Sequence, residues 1–173
     1  MRFCRLYITL LVLLLSATAS VAAETQYQIK AAMLYNFAKF VEWPPNSFTS
    51  DKLITFCLVG NNPLNGPIQQ MQGKLVKGRK VSIRQIARPY DVAGCQILFI
   101  PQAEYARMPV YLQQARNYPI LTVSDQEEFI SSGGMIGFYD DDGNVRFEIN
   151  LETAQKRRLQ ISSYLLNLAR RVR

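Results

Sequence analysis

The 173-residue sequence contains no histidine. This absence excludes Ser-His-Asp and Cys-His catalytic arrangements and histidine-rich zinc sites, and it removes the simplest general base near neutral pH. Catalysis would have to rely on carboxylates. The densest cluster of carboxylates consists of Asp140, Asp141 and Asp142. A Gly-Asn pair follows it, which is typical of a solvated hairpin turn. Their spacing also lacks the alternation of a calcium-binding loop.

Glycine motifs that bind phosphate are missing as well. The turn at residues 60–66 is not followed by the Lys and Ser or Thr that hold a phosphate and its magnesium ion. The segment 133–138 leads into a predicted strand, whereas a dinucleotide-binding turn opens a helix. The sequence therefore predicts a protein that is not an enzyme and has no cofactor and no metal site.

No apolar run approaches the roughly 20 residues that a membrane-spanning helix requires. The apolar run at residues 6–15 follows Arg2 and Arg5. Val21 and Ala23 place small residues at the usual signal-peptidase positions, so we predict a signal peptide that is cleaved after Ala23. A retained membrane anchor is the alternative interpretation.

Cleavage removes residues 1–23 and leaves residues 24–173, about the commonest size for one domain. The loss of Arg2 and Arg5 leaves 18 Lys and Arg against 13 Asp and Glu, a net charge of +5. Such a charge favours an acidic partner or a lipid surface, and export argues against nucleic acid. We expect one periplasmic domain that does not span the membrane.

Cysteine is scarce, and Cys4 leaves with the signal peptide. Cys57 and Cys95 remain, and an even number of cysteines in an oxidising compartment favours an intramolecular disulfide. Two buried, unpaired thiols are the alternative. A disulfide would close a loop of roughly 39 residues and would stabilise the domain by about 3–4 kcal/mol on the chain-entropy account.

Apolar spacing alternates between helical and strand periods along the mature chain. Helices are predicted over residues 28–41, 64–71, 103–116, 124–129 and from a cap at Asn150 to the C-terminus. Strands are predicted over residues 53–59, 80–86, 96–100, 120–123, 135–139 and 145–149. We therefore expect an α/β fold, with a mainly parallel sheet, helices on both faces and an antiparallel hairpin at one edge.

The predicted strand at residues 145–149 separates polar from apolar side chains. Alternation places Arg146, Glu148 and Asn150 on the face opposite the apolar residues. These three residues are our candidates for contact with a ligand or a partner. The alternative is an exposed edge strand with an Arg146–Glu148 ion pair worth under about 1 kcal/mol, and with Asn150 capping the next helix.

The predicted C-terminal helix combines an apolar stripe with basic clusters. The stripe consists of Leu159, Ile161, Tyr164, Leu165, Leu168 and Ala169. The arginines from Arg170 onward complement the negative end of the helix dipole. The basic residues 156–158 lie too far from that end for the same explanation, so contact with a partner or a membrane surface is a hypothesis for them.

Four segments resemble the YfiR/HmsC family of periplasmic repressors. They are KAAMLYNFAKF at residues 30–40 running to EWP, GCQILFI at 94–100, ILTVSD at 120–125, and GGMI at 133–136 through VRFEIN at 145–150. The likeness continues into ISSYLL at 161–166. It therefore covers nearly all of the mature chain, and several segments in the same order are more specific than any one of them.

The resemblance implies a Rossmann-like domain, often dimeric, that binds the periplasmic sensor region of an inner-membrane diguanylate cyclase and keeps the cyclase inactive. Cyclic-di-GMP signalling and biofilm formation would change as a result. It also implies a structural disulfide at positions similar to Cys57 and Cys95. Some relatives carry a second cysteine pair near the Gly-Gly segment, where this sequence has Ser131 and Ser132, so redox control through that pair is not expected.

A small-molecule binding protein that serves a transporter or a sensor kinase is the competing hypothesis. Crevices at the strand ends of α/β folds commonly bind ligands. A neighbouring gene for a membrane diguanylate cyclase would favour repression, whereas a transporter operon would favour ligand delivery.

Overall fold

The computed structural model of the protein describes residues 25–48 and 52–173, and the predicted signal peptide lies outside them. The helices are α1 (residues 25–40), α2 (Asn65–Ile68), α3 (Met108–Ala115), α4 (Leu151–Lys156) and α5 (Ser163–Leu168). The strands are β1 (Val41–Glu42), β2 (Leu53–Val59), β3 (Leu75–Val76), β4 (Arg79–Ile86), β5 (Ile97–Ile100), β6 (Leu121–Ser124), β7 (Ile136–Asp141), β8 (Asn144–Ile149), β9 (Gln160–Ile161) and β10 (Arg171–Val172). None of the described helices is both long enough and apolar enough to cross a bilayer.

Eight of the strands form one sheet in the order β10-β8-β7-β6-β5-β2-β4-β3. The five strands β4, β2, β5, β6 and β7 are parallel, and β3 and β8 join them as antiparallel strands. The predicted α/β fold with a mainly parallel sheet is therefore confirmed. The β7–β8 hairpin lies near one end of the sheet, but the outermost position there belongs to β10, which pairs in parallel with β8.

Helices cover both faces of the sheet, as predicted. On one face, the ring of Phe37 in α1 stacks on Phe138 at 5.7 Å and meets the edge of Phe147 at 5.1 Å. On the other face, Tyr111 of α3 is fully buried in a cluster around the two cysteines. Burial of each such aromatic side chain contributes about 1.5–3 kcal/mol of transfer free energy.

The prediction of one long C-terminal helix from Asn150 is wrong. The segment forms α4, the short strand β9, α5 and β10 instead. Arg158 has a left-handed backbone with a φ of 59°, which ends the helical path after α4. Ser162 then starts α5 by accepting a hydrogen bond from the backbone N–H of Leu165 at 3.3 Å. Of the predicted apolar stripe, Tyr164 and Leu168 are more than half exposed.

The helix predicted at residues 124–129 is also absent, and hydrogen-bonded turns take its place. The two polar residues at its predicted start have other partners. Ser124 Oγ donates to the carbonyl of Ile100 at 2.6 Å, and the carboxylate of Asp125 accepts the backbone N–H of Gln102 and the ammonium of Lys30. Ser124 Oγ also accepts the backbone N–H of Gln126 at 3.1 Å, which closes a local turn and is not followed by a helix.

Candidate functional site

The outer face of β8 carries two of the three residues that the sequence singled out as a site. Arg146 is exposed and Glu148 is half-buried on this face. The alternate residues of the strand are buried in the core: Val145, Phe147 and Ile149. The antiparallel register places Tyr139 of β7 opposite Arg146. The outer face of the hairpin is therefore polar, and its inner face forms part of the hydrophobic core.

The C-terminal strand β10 brings further charges to this face. Arg171 lies opposite Glu148 in the parallel register. The backbone N–H of Arg170 donates to the carbonyl of Phe147 at 3.0 Å, and the backbone N–H of Arg173 donates to the carbonyl of Ile149 at 2.9 Å. Helical spacing at the C-terminus concealed this strand from the sequence analysis, so the contribution of these arginines was missed.

The ion pairs on the outer face of β8 are long. Glu148 Oε2 is 4.0 Å from Arg171 Nη1 and 3.8 Å from Arg173 Nη2. Arg146 Nε is 3.8 Å from Asp141 Oδ2, so the Arg146–Glu148 pair considered from spacing does not form. Exposed pairs of this kind contribute about 0–1 kcal/mol and weaken with salt. A partner can therefore take over these charges at little cost to the fold.

A cleft of about 310 Å³ opens on the same face, between the hairpin and the C-terminal strand. Its lining consists of Tyr139, Asp141, Glu148, Arg170 and Arg171. The hydroxyl oxygen of Tyr139 is buried and has no hydrogen-bond partner among the described residues. A buried hydroxyl without a partner is costly, so it favours an incoming donor or acceptor. We refer to the five lining residues with Arg146 and Arg173 as the β8 surface.

Asn150 lies away from the β8 surface, at the N-terminus of α4. Its side-chain oxygen accepts the backbone N–H of Thr153 at 2.9 Å and thereby caps the N-terminus of α4. The structure therefore groups Arg146 with Glu148 on one face but leaves Asn150 at the start of the next helix. The contact role predicted for Asn150 stays a prediction.

Cys57 and Cys95 form a disulfide with a Cα–Cα distance of 5.8 Å. The guanidinium of Arg84 lies beside it, with Nη2 at 3.4 Å from Cys57 Sγ and 3.1 Å from Cys95 Sγ. The same nitrogen donates to the carbonyl of Ala93 at 2.7 Å. The disulfide links β2 to the approach to β5, in the middle of the sheet, so it does not belong to the β8 surface.

The described residues give no support to a metal site. Within 25–48 and 52–173, no three His, Cys, Asp or Glu side chains come together in a group that could hold a metal ion. Asp140 serves the β7–β8 turn itself, since its Oδ1 accepts the backbone N–H of Gly143 at 2.8 Å, and Asp141 pairs with Arg146. The carboxylates of this hairpin therefore have a structural explanation.

Two solved structures match parts of this chain. A conserved domain protein from Vibrio cholerae O1 biovar El Tor matches with a TM-score of 0.50 at 10% sequence identity, over 69% of this chain and 54% of its own. The ABC domain in complex with L-Trp from Streptococcus pneumoniae matches with a TM-score of 0.49 at 10% identity, over 74% of this chain and 57% of its own. This chain thus spans less than two thirds of either protein, and the first likeness shows a shared fold alone.

A search among curated proteins gave no match. The family described as DUF4154, YfiR/HmsC-like, matches residues 27–170, which include α1, the whole sheet up to β8, and α4 and α5. This match covers far more than half of the sequence and includes every segment on which the resemblance was based. The chain therefore belongs to the YfiR/HmsC-like family.

Proposed function

We propose that this protein binds the periplasmic sensor region of an inner-membrane diguanylate cyclase and holds the cyclase inactive. Lower cyclic-di-GMP and less biofilm would follow. The observation that carries the proposal is the family match over residues 27–170, because the family is one of periplasmic regulators of diguanylate cyclases. Export, cleavage after Ala23 and homodimer formation belong to the same proposal.

The β8 surface is the proposed contact site, with Arg146 and Glu148 as the residues that meet the cyclase. Their ion-pair distances of 3.8–4.0 Å leave both side chains available for shorter, charge-assisted bonds to a partner. The unpartnered hydroxyl of Tyr139 adds a group that gains from a new hydrogen bond. These features support a polar, salt-sensitive contact that forms and dissociates.

Inhibition requires that the protein bind the inactive arrangement of the cyclase more tightly than the active one. A tenfold preference corresponds to about 1.4 kcal/mol. One or two redirected ion pairs at an interface are enough to supply that difference. The proposed mechanism therefore needs no chemistry at the β8 surface, only different contacts with the two states of the partner.

The test is cellular cyclic-di-GMP in a deletion strain that carries the wild type, Arg146→Ala or Glu148→Ala. We expect deletion to raise cyclic-di-GMP and the wild type to restore it. Both variants should restore it only in part, while their periplasmic levels and melting temperatures stay equal to those of the wild type. Arg88→Ala is the matched control, because Arg88 is an exposed arginine beyond β4, at the opposite end of the sheet.

Two results would count against the proposal. Unchanged cyclic-di-GMP on deletion would contradict repression and would favour the small-molecule binding protein of the competing hypothesis. Full repression by both variants would leave repression intact but would remove the β8 surface as the contact site.

A further inference from the structure

A second polar region lies at the edge of the sheet where the parallel strands begin. Two adjoining clefts of about 300 Å³ each share Arg116, Lys156 and Arg157, and Arg158 lines one of them. Arg116 follows α3, and the other three residues end α4 and its following turn. We call these four residues and the two clefts between them the basic cleft.

Most of the positive charges in the basic cleft have no partner. Among the described residues, no side-chain hydrogen bond or ion pair involves Arg116, Arg157 or Arg158. Lys156 pairs with Glu152 at 2.5 Å, and both of these side chains are largely exposed. The residues that line the two clefts include no Asp or Glu. Three guanidinium groups therefore face one cavity without a carboxylate between them.

Helix dipoles explain part of this charge but not all of it. Both α3 and α4 end beside the cleft, so the sequence-based argument that residues 156–158 lie far from a helix end is wrong. Each helix end carries at most about −0.5 charge. With Glu152 included, two such ends offset about two of the four positive charges and leave roughly +2. That excess is close to the charge of −1.5 to −2 on a phosphomonoester at neutral pH.

The basic cleft is deep and offers donors along its depth. Its floor includes Thr122 and Met135, which are 2% and 3% exposed, so the cleft reaches the sheet itself. Thr122 Oγ1 accepts the backbone N–H of Met135 at 3.2 Å, which leaves its own hydroxyl hydrogen to donate. Gly133, with a φ of 91°, keeps the wall open next to Arg116, whose Nη2 would lie 3.6 Å from an added Cβ.

We propose that the basic cleft binds a phosphate-bearing anion, with the guanidinium groups of Arg116, Arg157 and Arg158 as its direct ligands. Guanidinium groups match phosphate oxygens in pairs, so three of them can surround one phosphate. The volume and depth of the cleft fit a small molecule better than an acidic protein segment, which would meet a flatter surface. The phosphate can come from a soluble phosphomonoester or from a lipid headgroup. This inference does not rest on the proposed function.

The test uses the exported protein purified from the periplasm and isothermal titration with glycerol 3-phosphate and with inorganic pyrophosphate. Glycerol is the uncharged control ligand, and phosphatidylglycerol vesicles are a separate arm. We expect binding that weakens as salt rises toward about 0.15 M. The double variant Arg116→Gln with Arg157→Gln should lose at least about tenfold in affinity, while Arg88→Gln, which removes one exposed arginine elsewhere, should stay within about twofold.

Each outcome decides the matter. Binding of a soluble phosphate that the double variant loses supports the site, and binding to vesicles alone that the double variant loses identifies a lipid headgroup as the source. No binding at low salt, or equal binding by the double variant, would overturn the proposal. If the double variant fails to fold, amide NMR signals of Gly133, Met135 and Thr153 in the wild type must shift on addition of glycerol 3-phosphate, and unmoved signals would overturn it as well.

Discussion

The two edges of the parallel strands differ in whether their charged side chains are paired. At the carboxyl edge, beyond β5 and β6, a cleft of about 380 Å³ is lined by Lys30 and Asp125, which form a part-buried ion pair at 2.8 Å. Asp125 also accepts the backbone N–H of Gln102 at 2.9 Å. At the amino edge, the basic cleft holds Arg116, Arg157 and Arg158 without partners among the described residues.

This difference separates charges that stabilise the fold from charges that are available to another molecule. Ligands of α/β proteins usually bind beyond the carboxyl ends of the strands. Here Lys30 of α1 pairs with Asp125 at that edge, so the Asp125 carboxylate already has a counterion within the chain. The amino edge keeps an excess of positive charge that nothing in the described structure offsets. This contrast supports our proposals that the basic cleft and the β8 surface, rather than the carboxyl edge, meet partners.

The largest effect that we predict is a loss of stability that leaves the clefts at both edges unchanged. Cys57→Ser with Cys95→Ser removes a disulfide between residues 38 positions apart, which lines neither cleft. The free energy of unfolding should fall by about 4 kcal/mol on the chain-entropy account. Urea unfolding measures it, and glycerol 3-phosphate affinity should stay unchanged below the transition. An unchanged urea midpoint would contradict the prediction.

Loss of one charge at the carboxyl edge should lower the free energy of unfolding more than loss of an exposed charge elsewhere. Asp125→Asn leaves the ammonium of Lys30 buried without its counterion, because the two side chains are only 7% and 12% exposed. We expect a loss of about 3 kcal/mol in the free energy of unfolding. Asp142→Asn in the exposed hairpin turn is the matched control and should change stability by less than about 0.5 kcal/mol. Equal effects of the two variants would remove the contrast between paired and unpaired charge.

The cap of α4 supports the basic cleft. Asn150→Ala removes the acceptor for the backbone N–H of Thr153 and should cost about 1 kcal/mol, measured by thermal unfolding. Asn167→Ala, at an exposed position in α5, should have no measurable effect. Because α4 carries Lys156 and leads to Arg157, the Asn150 variant should also weaken phosphate binding. Intact repression by the same variant would show that Asn150 serves the helix and not the cyclase.

The smallest predicted effect is a change in the titration of Tyr27, which lines the cleft at the carboxyl edge. Burial, and secondly the charge of Asp125, raise the pKa of the Tyr27 phenol above its ordinary value. Since the folded state favours the neutral phenol, this contribution to stability is complete below the ordinary pKa of tyrosine and is lost as pH rises through the raised pKa. Tyr27→Phe should reduce the late part of the ultraviolet tyrosine titration, to which Tyr105 and Tyr111 also contribute because their pKa values are raised as well. A late part of the titration that is unchanged in amplitude in the Tyr27 variant would contradict this assignment.

Sequence reasoning succeeded wherever the period of apolar residues decided the structure. The central strands and α1 lie where predicted, because buried runs of β-branched and aromatic residues have few alternatives. Pro109 marks the start of α3, since it occupies the first turn and the residues before it form a 3₁₀ helix. Strand alternation alone also placed Arg146 and Glu148 on the polar face of β8, where the structure has them, and their contact role stays a prediction.

The same reasoning failed where a distant partner decided the structure. The C-terminal segment has helical spacing, but Ile161 pairs with Val41 and Arg171 pairs with Glu148 across the fold. The basic cleft combines residues from α3 and α4 that lie about 40 positions apart in the sequence. Spacing within a segment carries no information on such a meeting.

The sequence by itself determined the α/β class, the polar face of β8 and the family, because these depend on local period and on motifs in order. Only the tertiary structure decided which charges are paired. Lys30 and Arg157 are both cationic residues in or beside a helix, yet Lys30 is paired with Asp125 and Arg157 has no ion pair among the described residues. The reason is physical: a charge interaction depends on distance and burial, and both are set by how helices dock on the sheet.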